Sequence, residues 1–208
     1  MITIASAKGY LLKDTIALFA TIGIHFDKDF PNSRKLSTID KSGEYQLLQI
    51  RPWDVPAYVQ NGAADFGVVG LDVLLEQESK LLRLADLKYG GCKLVVAGPK
   101  KQKPSSFTHN LTVATKYPQS TEAYFRAKGL SVNIIKLYGA IELAPATSLS
   151  DLIVDLTATG QSLKENKLHA LDTLFSSTAY LVANPVSFKM YYDEICDLTK
   201  KINKKLKK

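Results

Sequence analysis

One segment concentrates the residues that could do chemistry: Asp151-Leu-Ile-Val-Asp-Leu-Thr-Ala-Thr-Gly-Gln-Ser-Leu-Lys-Glu-Asn. An apolar run ends on an acid, Asp155, and small or hydroxylated residues follow: Thr157, Ala158, Thr159 and Gly160, then Gln161 and Ser162. Small side chains let backbone amides approach a ligand, hydroxyls donate to phosphate oxygens, and a helix start supplies unpaired N–H groups. An acid beside such amides does not attract phosphate. It suits ribose hydroxyls or a Mg²⁺ carried on pyrophosphate. A phosphorylated, metal-chelated sugar makes this combination of demands. The plainer alternative is a strand–turn–helix junction in which Thr159 and Ser162 only cap the helix, and pattern alone does not separate the two. The segment is not a Walker loop, since no Gly-Lys-Ser/Thr follows, and the chain has no G-x-G-x-x-G.

Strand and helix patterns alternate around this segment, which predicts an α/β fold. Short strands are expected at Ile2–Ala5, Gln46–Ile50, Phe66–Val69, Lys93–Ala97, Val113–Thr115, Val132–Leu137, Leu152–Leu156 and Thr178–Ala183. Helices are expected where Leu12, Ile16 and Phe19 recur, after Asp54, after Asp72 and over Ser120–Lys128. A terminal helix is expected from Pro185, with Ile195, Leu198, Ile202 and Leu206 on one stripe. The lysine-, proline- and serine-rich stretch Lys100–Asn110 reads as a loop. A composition break near Gly90 and a polar turn near Ser176-Ser177 divide the chain into two lobes. Residues 1–90 with 178–208 form lobe I, and 91–177 form an inserted lobe II. The expected architecture is two-lobed and similar to periplasmic binding proteins, with a ligand cleft between the lobes.

The net charge of +7 looks like a nucleic-acid signal until it is located. Lys200, Lys201, Lys204, Lys205, Lys207 and Lys208 supply six of those charges, leaving a body at 7 − 6 = +1. A basic tail on a near-neutral body argues against nucleic-acid binding as the main function. Cys92 and Cys196 are far apart, which excludes a disulfide scaffold and a cysteine zinc site and fits a reducing compartment. No signal-peptide pattern or membrane-length apolar run is seen, so a cytoplasmic location without membrane contact is expected. His25, His109 and His169 show no triad-like spacing.

Asp151–Asn166 resembles the phosphoribosyl-pyrophosphate loop of the ATP phosphoribosyltransferase family. Lys8-Gly9, Ser33-Arg-Lys-Leu, Asp54-Val-Pro-Ala-Tyr-Val, Gly62-Ala-Ala-Asp-Phe-Gly-Val-Val-Gly, Asp72-Val-Leu-Leu-Glu, Val113-Ala-Thr-Lys-Tyr-Pro and Ile135-Lys-Leu-Tyr-Gly-Ala-Ile-Glu-Leu-Ala-Pro are also similar to that family, in its order. The length matches its short form, which implies a hetro-oligomer with a separate regulatory subunit similar to histidyl-tRNA synthetase, and a homodimer of catalytic subunits. The implied reaction is attack by adenine N1 of ATP on C1 of phosphoribosyl pyrophosphate, with loss of pyrophosphate, at the entry to histidine biosynthesis. Mg²⁺ is implied with the substrate phosphates rather than at a dedicated site.

The resemblance implies a role for each residue. Thr157, Ala158, Thr159, Gly160, Gln161 and Ser162 would hold the 5′-phosphate, with Asp155 and Glu142 facing ribose or Mg²⁺. Lys8, Arg34 and Lys35 would meet phosphate and leaving pyrophosphate, since a guanidinium fork suits phosphate. Arg51, Asp72 and Tyr10 fall on the ATP side. Asp54 reads as a helix cap, whereas cap and contact stay open for Asp72. Two departures stand out: Tyr10 where the family motif is Lys-Gly-Arg, and Ala140 where serine is usual. Three rivals remain on residues alone: a cytosolic two-lobed binding or sensor protein, a phosphoribosyltransferase with another acceptor, and a weakly active paralogue.

Overall fold

A computed structural model describes residues 1–100 and 103–206. Residues 101 and 102 of the expected loop, and the last two lysines, Lys207 and Lys208, lie outside the described residues. The chain runs β1 (Ile2–Ala7), α1 (Tyr10–Ala20), β2 (Ser37–Ile39), β3 (Tyr45–Ile50), α2 (Val55–Gln60), β4 (Phe66–Gly70), α3 (Leu71–Glu76) and β5 (Leu82–Asp86). It continues through β6 (Cys92–Gly98), β7 (Thr112–Thr115), α4 (Pro118–Ala127), β8 (Asn133–Lys136), β9 (Leu152–Thr157), α5 (Gln161–Glu165) and β10 (His169–Ser177). It ends with β11 (Ala179–Ala183), α6 (Pro185–Met190) and α7 (Tyr192–Leu206). Two compact units result: Met1–Leu74 with Glu78–Gly90 and Thr178–Lys208, and Gly91–Ser177 with Leu75–Gln77.

Unit 1 is built on a six-stranded sheet ordered β2-β3-β1-β4-β11-β5. β3, β1 and β4 are parallel, while β2, β11 and β5 are joined by antiparallel pairings. All five residues of β4 are buried, as expected for a strand covered on both faces. A Cβ at Gly67 would come within 2.8–3.0 Å of Val59, Val182 and Val55, so glycine lets α2 lie close on this strand. Phe19, Phe30, Leu12 and Leu47 are among the fully buried side chains of this core.

Unit 2 carries a five-stranded sheet ordered β10-β6-β9-β7-β8. β9, β7 and β8 are parallel, whereas β6 runs antiparallel to both β9 and β10. Val95, Ala97, Ala114 and Ile153 pack with Ile141, Ala144, Leu163 and Leu168 to form an apolar cluster beneath the β9–α5 turn.

Three strands go beyond the sequence reading. β2 has only three residues, and β5 mixes Arg83 with apolar neighbours. β10 is the longest strand, and Ser176 and Ser177 close it rather than forming a turn. The expected terminal helix is two helices, because Tyr191 leaves helical geometry at φ −117°, ψ 39°. Ile195, Leu198 and Ile202 are buried on α7 as the stripe requires.

Candidate functional site

In unit 2 the carboxyl ends of the parallel strands fall side by side, since Thr115 pairs with both Val154 of β9 and Lys136 of β8. Asp155, on the last turn-side stretch of β9, is largely buried and its carboxylate accepts the Leu156 N–H at 2.8 Å. Burial pushes its carboxyl up to about 6; Glu142 adds to the rise, while the Leu156 amide and Lys116 oppose it.

Past β9 the chain turns at Gly160, whose φ of +77° is left-handed and costs a glycine little. The Gly160 N–H donates to Thr157 Oγ1 at 2.9 Å, and the Gln161 N–H to Thr159 Oγ1 at 3.4 Å. The threonines therefore order the turn as acceptors, and a hydroxyl that accepts still has its own proton to donate. Ala158, Thr159, Gln161 and Ser162 are exposed, so the turn is open to a ligand.

Ser162 corrects the capping alternative. Gly160 occupies the cap position of α5 without a side-chain bond, and the Ser162 hydroxyl instead donates to the Glu142 carboxylate, 20 residues away. Glu142 stands in a 3₁₀ turn, Ile141–Leu143, rather than at the start of an α-helix, and Ala140 before it is left-handed at φ 50°. The structure thus joins Asp155, Glu142 and the Thr157–Ser162 turn into one cluster. No group of three or more His, Cys, Asp or Glu side chains able to hold a metal ion occurs among the described residues. The Asp155 carboxyl, pushed up in part by the Glu142 carboxylate, and Glu142 itself fit sharing a cation that arrives on a ligand.

Unit 1 gathers the opposite charge. β1 lies between β3 and β4, all parallel, so its carboxyl end marks the place where the strand order reverses, the usual ligand position in open α/β sheets. Lys8 and Arg51 follow the paired residues Ala7 and Ile50, and the Lys8 N–H donates to the Ile50 carbonyl at 2.8 Å. Arg34 and Lys35 reach the same end from the antiparallel side: the Gln49 N–H donates to the Leu36 carbonyl at 2.9 Å, and the Gln49 side-chain amide to the Lys35 carbonyl. Ser33 secures this corner, donating to the Phe30 carbonyl at 2.8 Å and accepting the Lys35 N–H at 3.2 Å; Phe30 itself is buried. All four cationic residues are exposed.

Tyr10 is also exposed and begins α1, directly after Lys8-Gly9. Asp72 sits in the first turn of α3, just past β4, and is only 6% exposed. Asp54 occupies the cap position of α2, but its side chain makes no capping bond. The sequence reading overlooked Glu76. Its buried carboxylate accepts the Gln119 and Ser120 N–H groups, each at 2.9 Å, and the Ser120 hydroxyl at 2.8 Å, fixing the start of α4. Its partners are more than 40 residues away, so no local pattern signals it.

The chain of two compact α/β units, each built on a mixed sheet, defines, first, a member of the periplasmic-binding-protein-like folds. The fold is similar to that of an alkanesulfonate-binding protein from Xanthomonas axonopodis pv. citri (12% identity, TM-score 0.60, covering 98% of this chain and 72% of that one). Residues 51–204 match the ATP phosphoribosyltransferase family. The chain is 44% identical over 207 residues to an ATP phosphoribosyltransferase from Geobacter metallireducens, covering 98% of this chain and 97% of that protein. The solved ATP phosphoribosyl transferase HisG:HisZ complex from Thermotoga maritima contains a chain 34% identical to this one, with a TM-score of 0.83 and coverage of 100% and 99%. This chain belongs to the ATP phosphoribosyltransferase family.

Proposed function

We propose that the chain transfers the phosphoribosyl group of phosphoribosyl pyrophosphate to N1 of the adenine of ATP, releasing pyrophosphate and opening histidine biosynthesis. The observation that carries this reading is the unit 2 turn. A carboxylate of raised proton affinity faces a second carboxylate, beside an exposed turn whose Thr157 and Thr159 hydroxyls accept from backbone amides and keep their own protons to donate.

In this reading the amides and hydroxyls from Thr157 to Ser162 hold the 5′-phosphate. Asp155 and Glu142 accept from the ribose hydroxyls. As the adenine N1 lone pair forms the new bond to C1, the bond from C1 to the pyrophosphate oxygen breaks and both its electrons leave with pyrophosphate. Positive charge grows on C1 and negative charge on the leaving group. Fixed carboxylates near the ribose oppose the first, and Lys8, Arg34 and Lys35 oppose the second. Adenine N1 is a weak nucleophile, so alignment of the two substrates supplies much of the acceleration. Arg51, Asp72 and Tyr10 serve the ATP side, with unit 1 as the nucleotide unit and unit 2 as the phosphosugar unit. Mg²⁺, arriving on the phosphates, would offset their charge, with Asp155 and Glu142 as its protein ligands.

A regulatory subunit similar to histidyl-tRNA synthetase is the proposed partner in a hetero-oligomer, with pairing of catalytic chains into a homodimer; the HisG:HisZ relative supports the first of these. No helix among the described residues is long and apolar enough to cross a membrane, and a cytoplasmic enzyme is proposed. The test is incubation with ATP, phosphoribosyl pyrophosphate and Mg²⁺, with and without that subunit, following the absorbance of phosphoribosyl-ATP. Product in either condition is expected. None in both would leave a binding protein as the better account.

A further inference from the structure

Lys8 and Gly9 alone link β1 to α1, so the place of Lys8 is set by where the strand ends and where the helix begins. On the strand side β3 holds it, since the Lys8 N–H donates to the Ile50 carbonyl at 2.8 Å. Side chains hold the helix side. Ser6, the last residue but one of β1, and Thr15 of α1 are both fully buried, with their hydroxyl oxygens 3.3 Å apart. The Tyr89 hydroxyl lies 2.9 Å from the same Thr15 oxygen.

The direction of each bond follows from the donors at hand. Thr15 Oγ1 gives its proton to the Leu11 carbonyl, at 2.6 Å, and a carbonyl can only accept. A hydroxyl has one proton and two lone pairs, so Ser6 and Tyr89 both donate to Thr15. One oxygen therefore joins the end of β1, the start of α1 and the last segment of unit 1 before unit 2 begins at Gly91. Tyr89 brings a fixed backbone to this junction: its carbonyl accepts the Ala179 N–H at 2.9 Å, and the Leu87 N–H donates to the Ala179 carbonyl at 2.8 Å. The Tyr89 ring packs against the unit 1 core. A Cβ at Gly90 would collide with the Leu11 side chain and lie 3.4 Å from the Tyr10 ring, so this segment passes closely over the first turn of α1. Phenylalanine at 89 and valine at 15 would fill nearly the same space. What the hydroxyls add is a fixed geometry.

We infer that Tyr89 is a positioning residue of the unit 1 site: through the Thr15 hydroxyl it fixes the start of α1 against the end of β1, and so holds Lys8 where it meets the leaving pyrophosphate. This inference rests on the role given to Lys8 above. Lys8 is exposed and its ammonium rides on a flexible stem, so its backbone is the part that the fold can fix.

The test is steady-state kinetics of the full-length chain with ATP and Mg²⁺-phosphoribosyl pyrophosphate, in whichever condition, with or without the regulatory subunit, gives product. Tyr89→Phe keeps the ring and removes the hydroxyl. It should lower kcat by about tenfold and leave both KM values within about twofold, because charge on the leaving group develops only in the transition state. Lys8→Ala should lower kcat by about 10- to 100-fold. Adding Tyr89→Phe to Lys8→Ala should then cost less than about twofold more, since the group being positioned is gone. Thr15→Val should behave as Tyr89→Phe does, and Thr15→Ser should keep the wild-type kcat. A Tyr89→Phe kcat within about twofold of wild type overturns the inference. So does an equal fall in the wild-type and Lys8→Ala backgrounds, which is what a purely structural role produces. Should Tyr89→Phe lack a cooperative melt, Thr15→Val against Thr15→Ser carries the same comparison in both backgrounds. Lys8→Ala turning over as wild type does would instead remove the role of Lys8 itself, and the inference with it. A large fall in Lys8→Ala beside an unchanged Tyr89→Phe removes only the role of Tyr89.

Discussion

The two units solve the same topological problem with opposite chemistry. In each, one parallel strand lies between two parallel neighbours, and the functional candidates gather past the carboxyl ends. Unit 1 presents Lys8, Arg34, Lys35 and Arg51, all exposed and fastened through their backbones. Unit 2 presents Asp155 and Glu142 with a hydroxyl-rich turn, in which Ser162 donates to Glu142 and Thr157 accepts the Gly160 amide. Exposed cations keep their charge at little cost and can meet a diffuse polyphosphate. A buried acid must be held against its own desolvation, and that costs stability. The difference teaches where substitutions separate function from folding: in unit 2 they should oppose each other, and in unit 1 they should hardly interact.

The largest expected effect belongs to Asp155. Asp155→Asn should lower kcat by about 100-fold or more, as loss of a group stabilising transition-state charge does. It should also raise thermal stability at pH 8. The sign follows from the raised carboxyl, pushed up to about 6 from the ordinary aspartate value of 3.8. The folded state binds the proton more tightly than the unfolded state, so stability falls as pH climbs from about 4 to about 6 and stays low above. The full cost of ionising Asp155 is roughly 3 kcal/mol from that difference, an upper bound on what Asn regains at pH 8. Melting curves at pH 4 and pH 8 check this, because the gain should vanish at the lower pH. A variant that is inactive and less stable at pH 8 would break the comparison.

Arg34→Ala tests the other side. Loss of a charge-assisted contact to phosphate should reduce kcat/KM by about 10- to 100-fold, corresponding to roughly 1.5–3 kcal/mol, with the melting temperature unchanged within about 1 °C. Steady-state kinetics and a melt decide it, and a large fall in stability would show that Arg34 is structural. Tyr10→Arg sharpens the point. Tyr10 lies exposed beside Lys8 where a cation would join the unit 1 group. The substitution should leave turnover no lower than wild type, and a tenfold fall would assign the tyrosine its own role. The smallest effect concerns Ala140, left-handed at φ 50° just before Glu142. Ala140→Gly should relieve about 1 kcal/mol of strain, raising the melting temperature by about 2–4 °C.

The strand, turn and helix that carry the unit 2 candidate site were legible because their signal is local. An apolar run, an acid and a small-residue turn follow one another within a dozen residues, and β9 and α5 bear out that order. The bond between Ser162 and Glu142 was not legible, nor was the Glu76 clamp on α4, because their partners lie 20 and more than 40 residues apart. In unit 1 the four cations carry no local pattern, and it is the β1–β3 and β2–β3 registers that bring them together. β10 escaped because two register shifts, between Ala170 and Asp172 and between Thr173 and Phe175, break the alternation that marks a strand. The break at Tyr191 escaped because neither glycine nor proline announces it. Short continuous apolar strands, such as β4 and β9, were read within a residue of their ends.

The central claim is that the turn after β9 grips the phosphosugar. A crystal structure of the full chain with Mg²⁺-phosphoribosyl pyrophosphate tests it most directly. The 5′-phosphate should lie on the amides and hydroxyls between Thr157 and Ser162, with the ribose hydroxyls at Asp155 or Glu142. A fully occupied ligand elsewhere, with that turn empty, would contradict the account.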